Sequence, residues 1–154
     1  MRLSQNFWLS ELVKSSTADR LGIKNDPGIE EIVNLTVLAN HVLQPVRENF
    51  GVITINSGYR APALNTKVGG SKTSQHCFGE AADFEQLGTP NATVAQWIEK
   101  ELDFDQLILE FYTKGQPNSV CVHCSFKKDG SNRRKINTAL RVNGKTQYKS
   151  GLVF

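Results

Sequence analysis

Between residues 28 and 50 the apolar positions Ile29, Ile32, Val33, Val37, Leu38, Val42, Leu43 and Val46 recur at spacings of three and four, the signature of one buried helical face. Pro45 falls inside this stretch and should kink or divide the helix, because proline lacks the amide hydrogen and crowds the carbonyl four residues earlier. Leu9 to Leu21 shows mixed helical spacing, with Ser10 as a candidate N-cap and Gly22 as a stop, and predicts a short helix. Thr93 to Leu102 predicts an amphipathic helix around Val94, Trp97 and Ile98. Elsewhere the pattern changes to that of strands. β-branched residues fill Val52 to Ile55 directly after Gly51, and Gln106 to Tyr112 and Ser119 to Phe126 also read as strands. Asn143-Gly144, set between Thr138–Val142 and Lys145–Lys149, is a type I′ hairpin signal. Ser57 to Thr73, punctuated by Gly58, Pro62, Gly69 and Gly70, reads as loop ahead of a short apolar run from Ala81 to Phe84. The sum is an α+β fold, with helices packed on one face of a mainly antiparallel sheet.

Composition narrows the classes. A chain of 154 residues has the size of one domain, and with no repeat or linker in sight residues 1–154 are expected to form a single one. A hydrophobic share of 39% with 21% charged residues argues against disorder, and no apolar run approaches the ~20 residues of a spanning helix, so no membrane insertion is expected. A formal charge of +3 suits an anionic surface but does not mark a nucleic-acid protein. The N-terminal segment carries Glu11 where a secretory signal has an unbroken apolar stretch, which leads us to expect a cytoplasmic protein as synthesised. Three cysteines, Cys77, Cys121 and Cys124, then read as free thiols rather than a disulfide framework. Nothing in the pattern asks for more than a monomer.

Candidate chemistry concentrates in Ser57-Gly-Tyr-Arg60 and in Gly69 to Asp83, where His76 and Asp83 stand seven residues apart. Both touch one ion only if the chain folds back between them, and Gly79 is placed to supply the bend. Spacing alone leaves open that His76 is a turn residue and Asp83 a cap. In Val120 to Phe126, period-two alternation puts Cys121, His123 and Ser125 on one face and Val120, Val122, Cys124 and Phe126 on an apolar one. Two imidazoles and a carboxylate suit zinc with a position left for water.

The stretch SGYRAPALNTKVGGSKTSQHCFGEAADF resembles the signature of the zinc D-Ala-D-Ala carboxypeptidase and L-Ala-D-Glu endopeptidase family, S-x-H-x-x-G-x-A-x-D, matched by Ser74, His76, Gly79, Ala81 and Asp83. Val122-His123-Cys124-Ser125 is similar to the family's late W-V-H-V-S strand, and the long helix and FDQLILEF fit a phage-type branch. The resemblance implies a fold shared with the Hedgehog signalling domain and a Zn2+ site held by His76, Asp83 and His123. It also implies Arg60 beside the scissile carbonyl and a peptidoglycan stem peptide as substrate. Ser74 and Gln75 are candidates to orient substrate, with a local turn hydrogen bond as the alternative for Ser74.

The chain departs from the family at the general base. Many members carry an acidic residue three positions before the last histidine or a histidine two before it, where this chain has Val120 and Cys121. Glu110 is the leading candidate, because its strand can pair with that of His123, and Asp105 is a weaker rival. Cys121 shares a face with His123, and a thiolate there would close the metal site and make it structural. The expected activity is hydrolysis of an amide in the peptidoglycan stem by an enzyme that reaches the wall after release, in the manner of a phage endolysin. The alternative is a non-catalytic, zinc-stabilised wall-binding or signalling-like domain.

Overall fold

A computed structural model describes residues 1–111 and 121–154. Six helices, a π segment and a 3-10 turn accompany six strands among these residues. The first two helices, α1 (Leu9–Val13) and α2 (Ser16–Leu21), replace the single helix expected there. Lys14 is extended and Ser15, rather than Ser10, is the hydroxyl that caps, accepting the Ala18 amide. Gly22 closes α2 in the left-handed conformation, as its position suggests.

The long helical stretch runs as α3 (Ile29–Leu38), a π segment (Ala39–Leu43) and α4 (Gln44–Phe50). Pro45 thus lies in the first turn of α4, and the stretch is divided there into two α-helices joined through the π segment. The Gln44 amide reaches back five residues to the Ala39 carbonyl, and this widened turn takes up the mismatch that Pro45 introduces. Leu35, Leu38, Val42, Leu43 and Val46 are wholly buried, whereas Ile29 and Val33 at the start are exposed.

The strands are β1 (Thr54–Ser57), β2 (Ala81–Glu85), β3 (Gln106–Glu110), β4 (Cys121–Ser125), β5 (Lys135–Val142) and β6 (Lys145–Ser150), in the sheet order β1-β2-β4-β3-β5-β6. Only β3 and β5 pair in parallel, so the sheet is mainly antiparallel and the fold is α+β, with the helices packed on one face. β1 begins at Thr54, later than the β-branched run suggests, and Val52 is exposed. The parts of the expected strands at 112 and 119–120 lie outside the described residues. Inside the predicted loop, Pro62 starts the short helix α5 (Pro62–Lys67), its fixed φ suited to the first helical turn, with Leu64 buried beneath it. The helix expected at Thr93 is α6 (Asn91–Glu101). At the C-terminal hairpin Asn143 and Gly144 have φ of 50° and 76°, the two positive values a type I′ turn needs.

One core joins the helices to one sheet face, taking Leu107 and Leu109 of β3 and Val122 and Cys124 of β4, with Phe126 just beyond. Alternation then obliges the intervening residues to face the other way. The registers set these in three rows across the sheet. The central row is Asp83, His123, Ile108 and Asn137; beside it lie Cys121, Glu110, Ala139 and Tyr148 on one side, and Gln106 with Lys135 on the other.

Candidate metal centre and active site

His76 is placed by a 3-10 turn over Gln75–Phe78, capped by the Ser74 hydroxyl, which accepts the His76 amide at 3.3 Å. Gly79 follows with φ of 72° and reverses the chain into β2. A Cβ on Gly79 would lie 2.5 Å from the Glu31 carbonyl oxygen and 3.2 Å from Leu35, so α3 leaves room for glycine alone. The reversal lets His76 and Asp83 meet across their seven-residue separation: His76 Nε2 is 3.3 Å from Asp83 Oδ2. His123 stands directly across from Asp83 in the β2–β4 register, and its Nδ1 is 2.8 Å from Asp83 Oδ1. On its other side Asp83 pairs with Ser57, next to an irregularity of β1 between Ile55 and Ser57.

The three residues can hold a metal ion. Their nitrogen and oxygen atoms lie within 4.8 Å of one another, and His76 and His123 are buried. Ligands at zinc distances of 2.0–2.1 Å in tetrahedral array stand about 3.3 Å from each other, close to the His76–Asp83 separation. His76 Nδ1 lies 2.7 Å from the Gly58 carbonyl and donates to it, which fixes the tautomer that presents Nε2 as a lone-pair donor. Gly58 is held in turn: the Tyr59 amide donates to the Leu12 carbonyl at 2.7 Å, and Asn25 spans Val13, Tyr59 and Ala61 through its side-chain amide. Burial raises the Asp83 carboxyl, but hydrogen bonds and charge from His123 and His76 outweigh this and hold it well below the usual carboxylate range. Burial works against a charged His123, yet the bond to Asp83, followed by the charges of Asp83 and Glu110, raises its pKa. An electron-rich carboxylate between two imidazoles is a donor set that suits a divalent cation.

Glu110 lies in the neighbouring row. Its strand pairs with β4, Ile108 opposite His123 and Glu110 opposite Cys121, and its carboxylate comes within 4.8 Å of Asp83 and of the Cys121 sulfur. Burial and the nearby Asp83 push the Glu110 carboxyl up. Cys121 donates its thiol to Glu110 at 3.4 Å, and burial raises its pKa strongly, so the group is a neutral donor here. The sulfur thus clusters with Asp83 and Glu110 rather than with the two histidines. Cys124 sits in the core, as alternation requires.

Asp105 is a different kind of residue. It is wholly buried; Arg133 meets both of its oxygens, Gln75 donates to Oδ2 at 3.0 Å, and Lys127 is 4.0 Å from Oδ1. Burial pushes its pKa up, but the hydrogen bonds from Arg133 more than offset this and hold it below the ordinary range. So engaged, Asp105 has no free oxygen for a reacting water, which removes it as a rival to Glu110. Its work is to tie the turn that carries His76, through Gln75, to the start of β3. That commits the Gln75 amide nitrogen to the frame, as Ser74 is committed to its cap.

A cleft of about 710 Å³ opens over the cluster, lined among others by Arg60, Ser74, Gln75, His76, Glu110 and His123. Arg60 enters it from the loop after β1, with Nη1 donating to Asn65 at 3.2 Å and a buried Nε that has no partner among the described residues. Asn65 also donates to the Ser71 carbonyl and so braces the loop facing Arg60.

Residues 5–116 match the family model described as Peptidase M15. The chain belongs to this family, peptidases of the zinc D-Ala-D-Ala carboxypeptidase type. The matched span takes in Arg60, His76, Asp83 and Glu110 and stops before the strand of His123. No curated protein matches the chain. Three features of this M15 peptidase's site escape periodicity: the Asn25 clamp, the Asn65 brace and the Asp105–Arg133 pair. The Asn25 clamp and the Asp105–Arg133 pair join segments distant in sequence, the Asn65 brace closes a short loop, and the only trace of them in the sequence is their residue types.

Proposed function

We propose that this M15 peptidase hydrolyses an amide bond of peptidoglycan stem peptides with a zinc ion held by His76, Asp83 and His123. The observation that carries the reading is the convergence of those three side chains on one point at the floor of an open cleft, with Glu110 and Arg60 at its sides. A zinc ion held by these residues would supply Lewis-acid chemistry, acidifying water and polarising a carbonyl. Glu110 accepts the proton of the attacking water and returns it to the leaving amine, work that its raised pKa favours by bringing it closer to neutral pH. Arg60, which lines the cleft, meets the negative charge that develops on the carbonyl oxygen. Cys121 holds Glu110 in place by donating to it. Membership of the M15 family supports the wall as target, and an endolysin-like route to it is part of the same proposal.

The test is to incubate purified cell wall with the zinc-loaded protein and with its His123→Ala and Glu110→Gln variants, following release of free amino groups. Release by the parent alone, with Glu110→Gln keeping its zinc, is the expected result. Equal release by parent and His123→Ala would discard the proposal. Zinc-loaded parent that binds wall without cutting it would favour the non-catalytic domain.

A further inference from the structure

The cleft extends well beyond the metal cluster, and its far side is cationic. Moving across the sheet from His123, the floor passes over Ile108 to Asn137, with Lys135 one step along β5 and Tyr148 on β6. Arg133 stands at the same end, but its charge is answered by Asp105 at 2.8 Å. Lys135 is exposed and makes no ion pair with any described residue. Asn137, two residues along β5, stands beside it with an uncharged group that hydrogen-bonds, whereas Tyr148 lies across from Ala139, in the row of Glu110. The cleft's acidic residue, Glu110, is in the row across Ile108 from Lys135.

We propose that Lys135, beside Asn137, anchors a free carboxylate of the substrate, so that the preferred substrate is an acidic peptide with that carboxylate two to three residues from the bond cut. The inference rests on the peptidase reading above for the position of that bond. The spacing follows from sheet geometry. Lys135 lies two strands and two residues from His123, a diagonal of about 12 Å at ~4.8 Å per strand and ~3.4 Å per residue. The lysine's flexible stem shortens this to the length of two to three extended residues. An ammonium with neutral neighbours, open to solvent on one side, discriminates carboxylate from carboxamide by charge while tolerating variation in the rest of the side chain.

The test uses two stem peptides of one sequence, with free carboxylates in one and carboxamides in the other. Binding is measured by calorimetry in zinc-loaded Glu110→Gln protein, which suppresses turnover. The carboxylate form is expected to bind about tenfold tighter, as one charged hydrogen bond would give. Adding Lys135→Ala should collapse the ratio towards one, and Lys135→Arg should keep it. An unchanged ratio in Lys135→Ala, or none in the parent, overturns the anchor. Circular dichroism checks that Lys135→Ala folds. Hydrolysis of the two peptides by the unsubstituted protein reads the peptidase proposal separately. Cleavage of both at one rate sinks the anchor alone, whereas charge-dependent binding without cleavage sinks the peptidase reading and leaves the anchor standing.

Discussion

Replacing Gly79 with alanine tests whether the turn between His76 and Asp83 is as constrained as the structure shows. Two costs add. Alanine at φ of 72° is in the left-handed region, which costs roughly 1–2 kcal/mol for a residue with a Cβ. The new Cβ would also sit 2.5 Å from the Glu31 carbonyl oxygen, a backbone atom within α3 that cannot swing aside as a side chain would. Overpacking of this kind costs about 1–3 kcal/mol, giving a total of about 2–5 kcal/mol. The displacement cannot be absorbed locally, because the Gly79 amide bonds to the His76 carbonyl, Glu80 to Gln75, and Asn34 to the Phe78 carbonyl at 2.8 Å. It should reach His76 and Asp83 and weaken zinc binding. Urea unfolding of parent and Gly79→Ala gives the stability change, and competition with a chromophoric chelator gives the zinc affinity, expected to fall at least about tenfold for ligands moved from their places. Gly79→Asn separates the two costs: asparagine tolerates the left-handed backbone but keeps the Cβ, so most of the loss should remain. A Gly79→Ala protein within about 0.5 kcal/mol of the parent, the range of an ordinary surface change, and with unchanged zinc affinity, would refute the reasoning.

Asp105→Asn should destabilise the fold by about 2–3 kcal/mol near neutral pH, since it removes one partner of a buried ion pair. The sign with pH follows from the depressed carboxyl: its contribution is complete above the unfolded value of about 4 and is lost as pH falls through the folded value, so the parent–variant difference in urea unfolding should shrink below pH ~4. A constant difference across that window would contradict the pairing. Arg60→Ala should lower kcat on wall peptides by about 10²–10³ with zinc content intact, as loss of one oxyanion donor does. An effect confined to KM would assign Arg60 to binding. Stripping the metal with a chelator should lower Tm, because zinc at 1,000 times its Kd stabilises the folded state by about 4 kcal/mol. No shift in Tm would mean that the cluster does not hold the ion.

Where neighbouring residues decide the outcome, the sequence was sufficient. The 3.6-residue period located the long helix, alternation placed His123 and Cys124 on opposite faces of β4, and Asn143-Gly144 predicted its turn. Pro45 was read by its local rule, and the α-helix does divide beside it, α3 and α4 being joined through a π turn rather than a loop. The helix at Pro62 was hidden because its six residues are too few to display a period, and its buried Leu64 has a partner only in three dimensions. The site divides in the same way. His76, Asp83 and His123 were legible from their pattern, and Glu110 from the inference that its strand pairs with β4, a pairing the structure contains. Asp105 was legible only as a carboxylate near Glu110. Its role depends on Arg133 and Gln75, 28 and 30 residues away in the chain, and no local signal points to either.

X-ray absorption at the zinc edge of the loaded protein tests the metal centre most directly. Two imidazole nitrogens, one carboxylate oxygen and one further light atom at about 2.0–2.1 Å, in one ion per chain, are expected from His76, Asp83 and His123. A sulfur shell at about 2.3 Å, lost in Cys121→Ser, would show that the thiol closes the site and that the centre is structural rather than hydrolytic.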